Sequence, residues 1–129
     1  MSLEMESGTE VLQIGVARSE GKVVITLAGE LDVTGAPVLR EQLAAATRTE
    51  GRVVCDLEHL TYMDSTGISV LIAARKRLDA TGRDLVLVGP SERVHKVLEI
   101  TGVDSYFTIQ PQGAPTKPRG VPTKEDASG

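Results

Sequence analysis

A carboxylate and two hydroxyls stand side by side in Asp64-Ser65-Thr66-Gly67, between an apolar run that ends at Leu57 and the clearest helical pattern in the chain. Strand ends that lead into helix starts are where α/β proteins expose functional groups. On chemistry alone, the first job open to these residues is capping. Oxygens of Asp, Ser and Thr accept hydrogen bonds from the free N–H groups of a first helical turn. The second is nucleophilic attack by Ser65, which needs a base within hydrogen-bond reach and an acid to orient that base. The chain has two histidines, His59 in the same segment and His95 further on, and no Gly-x-Ser-x-Gly elbow. Both histidines read as surface residues, so no catalytic residue and no enzyme activity is expected.

Other chemistry is limited by residue supply. A phospho-aspartate receiver would use Asp56, near a strand end, together with an acidic pair after the first strand. Ser19-Glu20-Gly21 stands there instead. One cysteine and two histidines are too few for a zinc knuckle, so no metal site is expected. Cys55 lies in Val53-Val54-Cys55-Asp56-Leu57 and reads as a small buried hydrophobe rather than a redox sensor. No cofactor is implied. A formal charge of −4 and a near absence of aromatics (no Trp, two Tyr, one Phe) argue against nucleic acid, which asks for clustered bases and stacking surfaces. No stretch approaches the roughly 20 apolar residues of a membrane span. Residues 1–10 carry three glutamates and no basic residue, unlike a secretory signal. The expected location is the cytoplasm, with no membrane partner.

The elements that must position Ser65 can be read from the aliphatic pattern, which draws on 15 Val, 13 Leu and 6 Ile. Residues 1–10 are expected to be a flexible lead. Val11–Ala17 and Val23–Ala28 read as a hairpin around Ser19-Glu20-Gly21-Lys22. Gly29–Gly35 reads as a loop with two acids, Glu30 and Asp32. A helix is predicted over 36–48, with Pro37 in its first turn and Leu39, Leu43 and Ala46 on one face. Arg52–Leu57 fits a buried strand followed by a polar loop. A second helix is predicted from Ser65 to Ala80, stopped by Gly82. Asp84–Gly89 reads as a strand, Ser91 as the cap of a helix running to Thr101, and Tyr106–Ile109 as an edge strand. No internal repeat is evident. Residues 110–129 hold four of the six prolines and one branched aliphatic, Val121, and are expected to be a disordered tail. The domain therefore spans 11–109. The fold class is α/β, with a mixed sheet of four to five strands and helices mainly on one face.

Tyr62-Met63-Asp64-Ser65-Thr66-Gly67-Ile68 resembles the signature of the bacterial anti-sigma factor antagonists, which are small stand-alone STAS domains. Leu27-Ala28-Gly29-Glu30-Leu31-Asp32 resembles a second motif of that family, the loop before the first helix. The resemblance implies a partner-switching regulator of sigma-factor transcription. Its serine is phosphorylated by an anti-sigma factor that is also a GHKL-type serine kinase, and a PP2C-type phosphatase resets it. ATP and magnesium belong to the kinase. Carried over by position, the phosphorylated residue is Ser65, with Thr66 the lesser candidate. Asp32 and Asp64 match the acidic positions, and Glu30, Met63, Thr66 and Gly67 are the remaining candidate partner-binding residues. The unphosphorylated form binds the anti-sigma factor and frees the sigma factor, and phosphorylation blocks that binding. The alternative within the family is a constitutive binding subunit of a lipid transporter or a stress-signalling assembly. One departure stands out. Many relatives have Gly-Leu-Gly where this chain has Gly67-Ile68-Ser69, and Ser69 could tune which kinase is accepted.

Overall fold

Period-two alternation of apolar residues builds the first half of the molecule, and helical spacing builds the connections that follow. The computed structural model describes residues 3–48 and 51–111. The strands are β1 (Leu3–Gly8), β2 (Leu12–Ser19), β3 (Lys22–Leu31), β4 (Arg52–Met63), β5 (Leu85–Val88) and β6 (Thr108–Gln110). The helices are α1 (Ala36–Thr47), α2 (Ser65–Asp79) and α3 (Glu92–Ile100). No helix among the described residues is long and apolar enough to cross a membrane.

All six strands form one sheet in chain order. The β1–β2 and β2–β3 pairs are antiparallel, and β3 to β6 are parallel neighbours. Each parallel step needs a crossover, and crossovers are right-handed. Three such steps in the same direction put α1, α2 and α3 on the same face. Alternate residues on that face, Val53, Cys55 and Leu57 of β4 and Leu85 and Leu87 of β5, share one core with Leu39, Leu43, Leu71, Leu78, Val94 and Leu98 from the helices.

The strand count is six, against an expected four to five. The addition is β1, which occupies Leu3–Gly8 where a flexible lead was expected. It covers the outer edge of β2. Thr9 closes the turn into β2, its hydroxyl accepting from the N–H groups of Val11 and Leu12 at 3.3 and 3.1 Å. At the other end, Gln110 completes β6. The expected disordered tail lies outside the described residues beyond Pro111.

Cys55 is fully buried, as its strand pattern implied. Burial, together with the neighbouring Asp56 charge, pushes its thiol up to about 12. The native thiol therefore stays protonated and unreactive at neutral pH. Iodoacetamide is expected to label Cys55 only in denaturant, a result that mass spectrometry of the two samples would show. A folded pKa raised above the unfolded value of 9.0 favours the native state in full below pH 9 and progressively less from there toward pH 12.

Candidate functional site

The site is built where two adjacent parallel strands end together. Leu31 of β3 pairs with Met63 of β4, and the N–H of Asp64 donates to the Leu31 carbonyl at 3.2 Å. Each strand is then followed by Asp-x-Thr-Gly: Asp32-Val33-Thr34-Gly35 and Asp64-Ser65-Thr66-Gly67. In the second turn, Asp64 is the N-cap of α2. Its Oδ1 accepts from the N–H groups of Thr66 and Gly67 at 3.0 and 3.2 Å and from the Thr66 hydroxyl. In the first, Asp32 Oδ1 accepts from Thr34 N at 3.0 Å, from the Thr34 hydroxyl at 2.7 Å and from Gly35 N at 3.3 Å. The two turns are the same device. This local repeat of four residues is a feature the sequence reading passed over.

The device sets the state of each side chain. The Thr34 hydroxyl holds the Asp32 carboxyl below its ordinary pKa. The N–H groups of Thr34 and Gly35 add to that effect and partial burial opposes it. The Thr66 hydroxyl is spent on Asp64, and Thr66 is half-buried. Ser65 is exposed at the first position of α2. One turn further on, the exposed Ser69 hydroxyl donates to the Ser65 carbonyl at 3.0 Å. Ser69 thus shares the helix face of Ser65.

Replacing Asp64 with Ala strands two backbone donors and the Thr66 hydroxyl. A loss of about 1–2 kcal/mol is expected, read as a lower thermal midpoint. Asn at the same position keeps an oxygen acceptor, so Asp64→Asn is expected to recover most of that loss.

Of the residues singled out from sequence, Asp32, Asp64, Ser65 and Thr66 converge on these paired turns, and Glu30 is exposed beside them. Two do not offer a surface. Met63 is 1% exposed, and Gly67 is buried. A Cβ on Gly67 would lie 2.7 Å from Leu31 Cδ2 and Cγ and 3.1 Å from Met63 Cγ. Gly67 therefore lets the start of α2 settle onto β3, and Met63 packs beneath it. In the native fold both shape the site from inside.

The cause of that correction is the course of the strands. The reading placed a loop at Gly29–Gly35 and another after Leu57. Instead β3 runs to Leu31 and β4 to Met63. The β3–β4 register shifts twice, between Thr26 and Ala28 and between Gly29 and Glu30. Each shift gives β4 an extra residue, so exposed pairs (Glu58-His59, Thr61-Tyr62) alternate with inward Leu60 and Met63. That period of three hides a strand from a search for period two. It also turns Tyr62 outward, 39% exposed, and the first Asp-x-Thr-Gly turn leaves Val33 64% exposed. Neither had been noted as a site residue. The repeated Asp-x-Thr-Gly was the signal that would have found Val33.

The histidines serve elsewhere. His59 pairs with Ala28 in the β4–β3 ladder, and His95 Nδ1 lies 3.8 Å from Glu99 on α3. Among the described residues, no group of three or more His, Cys, Asp or Glu could hold a metal ion.

A mixed sheet in chain order with three helices on one face is the fold that the comparisons recover. Residues 13–114 match the STAS domain family. The chain is 34% identical over 98 residues to the anti-sigma-B factor antagonist of Bacillus subtilis, covering 76% of this chain and 90% of that one. It is 38% identical over 94 residues to the protein of the same name from Listeria monocytogenes, covering 72% and 82%. The anti-sigma factor antagonist SpoIIAA of Bacillus has a similar fold at 24% identity. In its unphosphorylated form the TM-score is 0.65, covering 89% of this chain and 92% of that one. In its phosphorylated form the TM-score is 0.59, covering 89% and 96%. The chain belongs to the STAS domain family and, within it, to the anti-sigma factor antagonists.

Proposed function

We propose that this antagonist is switched at Ser65. Unmodified, it docks on an anti-sigma factor that is also a GHKL-type serine kinase, and the sigma factor is released. Phosphate on Ser65 ends the docking, and a PP2C-type phosphatase restores it. The protein acts in the cytoplasm as a substrate and binding partner, with no activity of its own. The observation that carries this reading is the division of labour between neighbouring hydroxyls. Asp64 occupies the Thr66 hydroxyl, while Ser65 stands exposed at the first position of α2. SpoIIAA, which shares the fold, has been solved in a phosphorylated form, and this supports reading the exposed serine as the acceptor.

The test is phosphorylation by the host's GHKL-type anti-sigma factor with ATP and magnesium, the site being mapped by mass spectrometry. One phosphate on Ser65 is expected in the wild type, none in Ser65→Ala, and one in Thr66→Val. Stoichiometric phosphate on Ser65→Ala would overturn the assignment and direct attention to Thr66.

A further inference from the structure

The geometry points to Val33 and Tyr62 as the apolar anchor by which this protein docks on its anti-sigma factor. The inference rests on the proposed function and names the surface that performs it.

Among the described residues, four large hydrophobics are exposed: Val11, Val33, Tyr62 and Ile100. Three of them gather at one end of the sheet. Tyr62 is paired with Glu30 across β4 and β3. The Glu30 N–H donates to the Val11 carbonyl at 2.8 Å, which brings the start of β2 to the same end. Val33 follows directly on Asp32. Within the twin turns, Val33 holds the place that Ser65 holds in the other copy. Neighbouring strands run about 4.8 Å apart, so an apolar residue and the modifiable hydroxyl are presented side by side in matching positions.

A folded chain gains nothing by leaving Val33 64% exposed at the tip of a turn. The turn chemistry belongs to Asp32, Thr34 and Gly35, and its second position is free for any small or polar residue. Apolar side chains gathered at one spot and edged by polar groups mark an interaction surface. The nearest edge is acidic. Segments 9–12, 29–35 and 61–67, which carry Val11, Val33 and Tyr62, contain Glu10, Glu30, Asp32 and Asp64 and no Lys or Arg, and the β5–α3 link beyond them adds Glu92 and Arg93. The occupant is therefore a protein surface with an apolar socket that takes Val33 and Tyr62, flanked by Lys or Arg facing Glu30 and Glu10. Continuity with Ser65 assigns that socket to the kinase that modifies it. Binding energy in such interfaces concentrates in a few central side chains.

The experiment measures the affinity of full-length Val33→Ser, Tyr62→Ala and Ile100→Ser proteins for the purified GHKL-type anti-sigma factor of the same host. Thermal midpoints are recorded to confirm folding. Val33→Ser and Tyr62→Ala are each expected to weaken binding about tenfold or more, from the loss of a buried apolar side chain, with midpoints near wild type. Ile100 is more exposed than either but sits at the far end of α3, so Ile100→Ser is expected to bind as wild type. Wild-type binding by Val33→Ser and Tyr62→Ala, alongside weak binding by Ser65→Glu, overturns the anchor and leaves the switch standing. Failure of the unmodified wild-type protein to bind any such anti-sigma factor overturns both.

Discussion

Phosphorylation of Ser65 is expected to weaken binding to the anti-sigma factor at least ~100-fold and Ser65→Glu about 30-fold, while Ser65→Ala is expected to bind as wild type. Calorimetry with the three purified forms would measure this. Asp64 already uses the N–H groups of Thr66 and Gly67, so the start of α2 has little left to offer an added anion. A phosphate on the exposed Ser65 would stand next to Asp64, on the strand end that neighbours the turn of Asp32. In water, two unit charges ~6 Å apart repel by about 0.7 kcal/mol. When a partner covers the site, the effective dielectric falls toward ~20 and the same pair repels by about 3 kcal/mol. The difference, about 2 kcal/mol, is close to 30-fold and appears only on docking. A single carboxylate at position 65 brings one such charge. A phosphate brings about −1.5 to −2, and must also shed water against whatever covers Val33 and Tyr62. Hence the larger factor, with no need for the fold to change. Equal binding by all three forms would mean that Ser65 lies outside the contact, and would favour a constitutive binding module.

The same site shows what a single sequence can and cannot disclose. The helices were legible to within a residue or two, because their ends carry chemistry: Pro37 in the first turn of α1, Asp64 capping α2, Ser91 capping α3 with its hydroxyl accepting from Val94 N. The buried strands β4 and β5 were legible as short apolar runs. Where reading stopped early, the cause was geometric. The doubled exposed pairs of β4 look like loop, yet they are strand with two extra residues, and this decides that Tyr62 faces out and Met63 in. A residue next to a candidate site serine is easily taken for a contact. Burial follows the pleat of the strand, not the distance along the chain. Capping chemistry alone does not separate Ser65 from Thr66, and the sequence favoured Ser65 only through the family resemblance. The folded turn adds that the Asp64 carboxylate engages the Thr66 hydroxyl, which supports the proposal of Ser65.

Gly29→Ala is expected to be the most destabilising single methyl added to this molecule near its site, costing about 3–5 kcal/mol. Gly29 lies in the Gly29-Glu30-Leu31-Asp32 segment at φ +101°, a conformation that costs a non-glycine residue roughly 1–3 kcal/mol. A Cβ there would also sit 2.1 Å from the Val11 carbonyl oxygen and 3.2 Å from its carbon. Both are backbone atoms, so no side-chain rotation relieves the overlap. β2 must move away from β3, at the point where Glu30 N–H donates to that same Val11 carbonyl. Gly21 supplies the control. Its φ is +80°, yet nothing lies within 4 Å of the Cβ it would gain. Gly21→Ala therefore carries the conformational cost alone, about 1 kcal/mol. For a domain of this size 1 kcal/mol corresponds to about 4–8 °C, so the thermal midpoint of Gly29→Ala should fall by at least ~12 °C and that of Gly21→Ala by a few degrees. The separation of strands also displaces Val11 and Glu30 relative to Tyr62. The fraction of Gly29→Ala that remains folded is thus expected to bind its partner less tightly than wild type, while folded Gly21→Ala binds unchanged. Matching midpoints for the two variants would mean that β2 and β3 tolerate separation, and that glycine is needed at 29 only for its backbone angle.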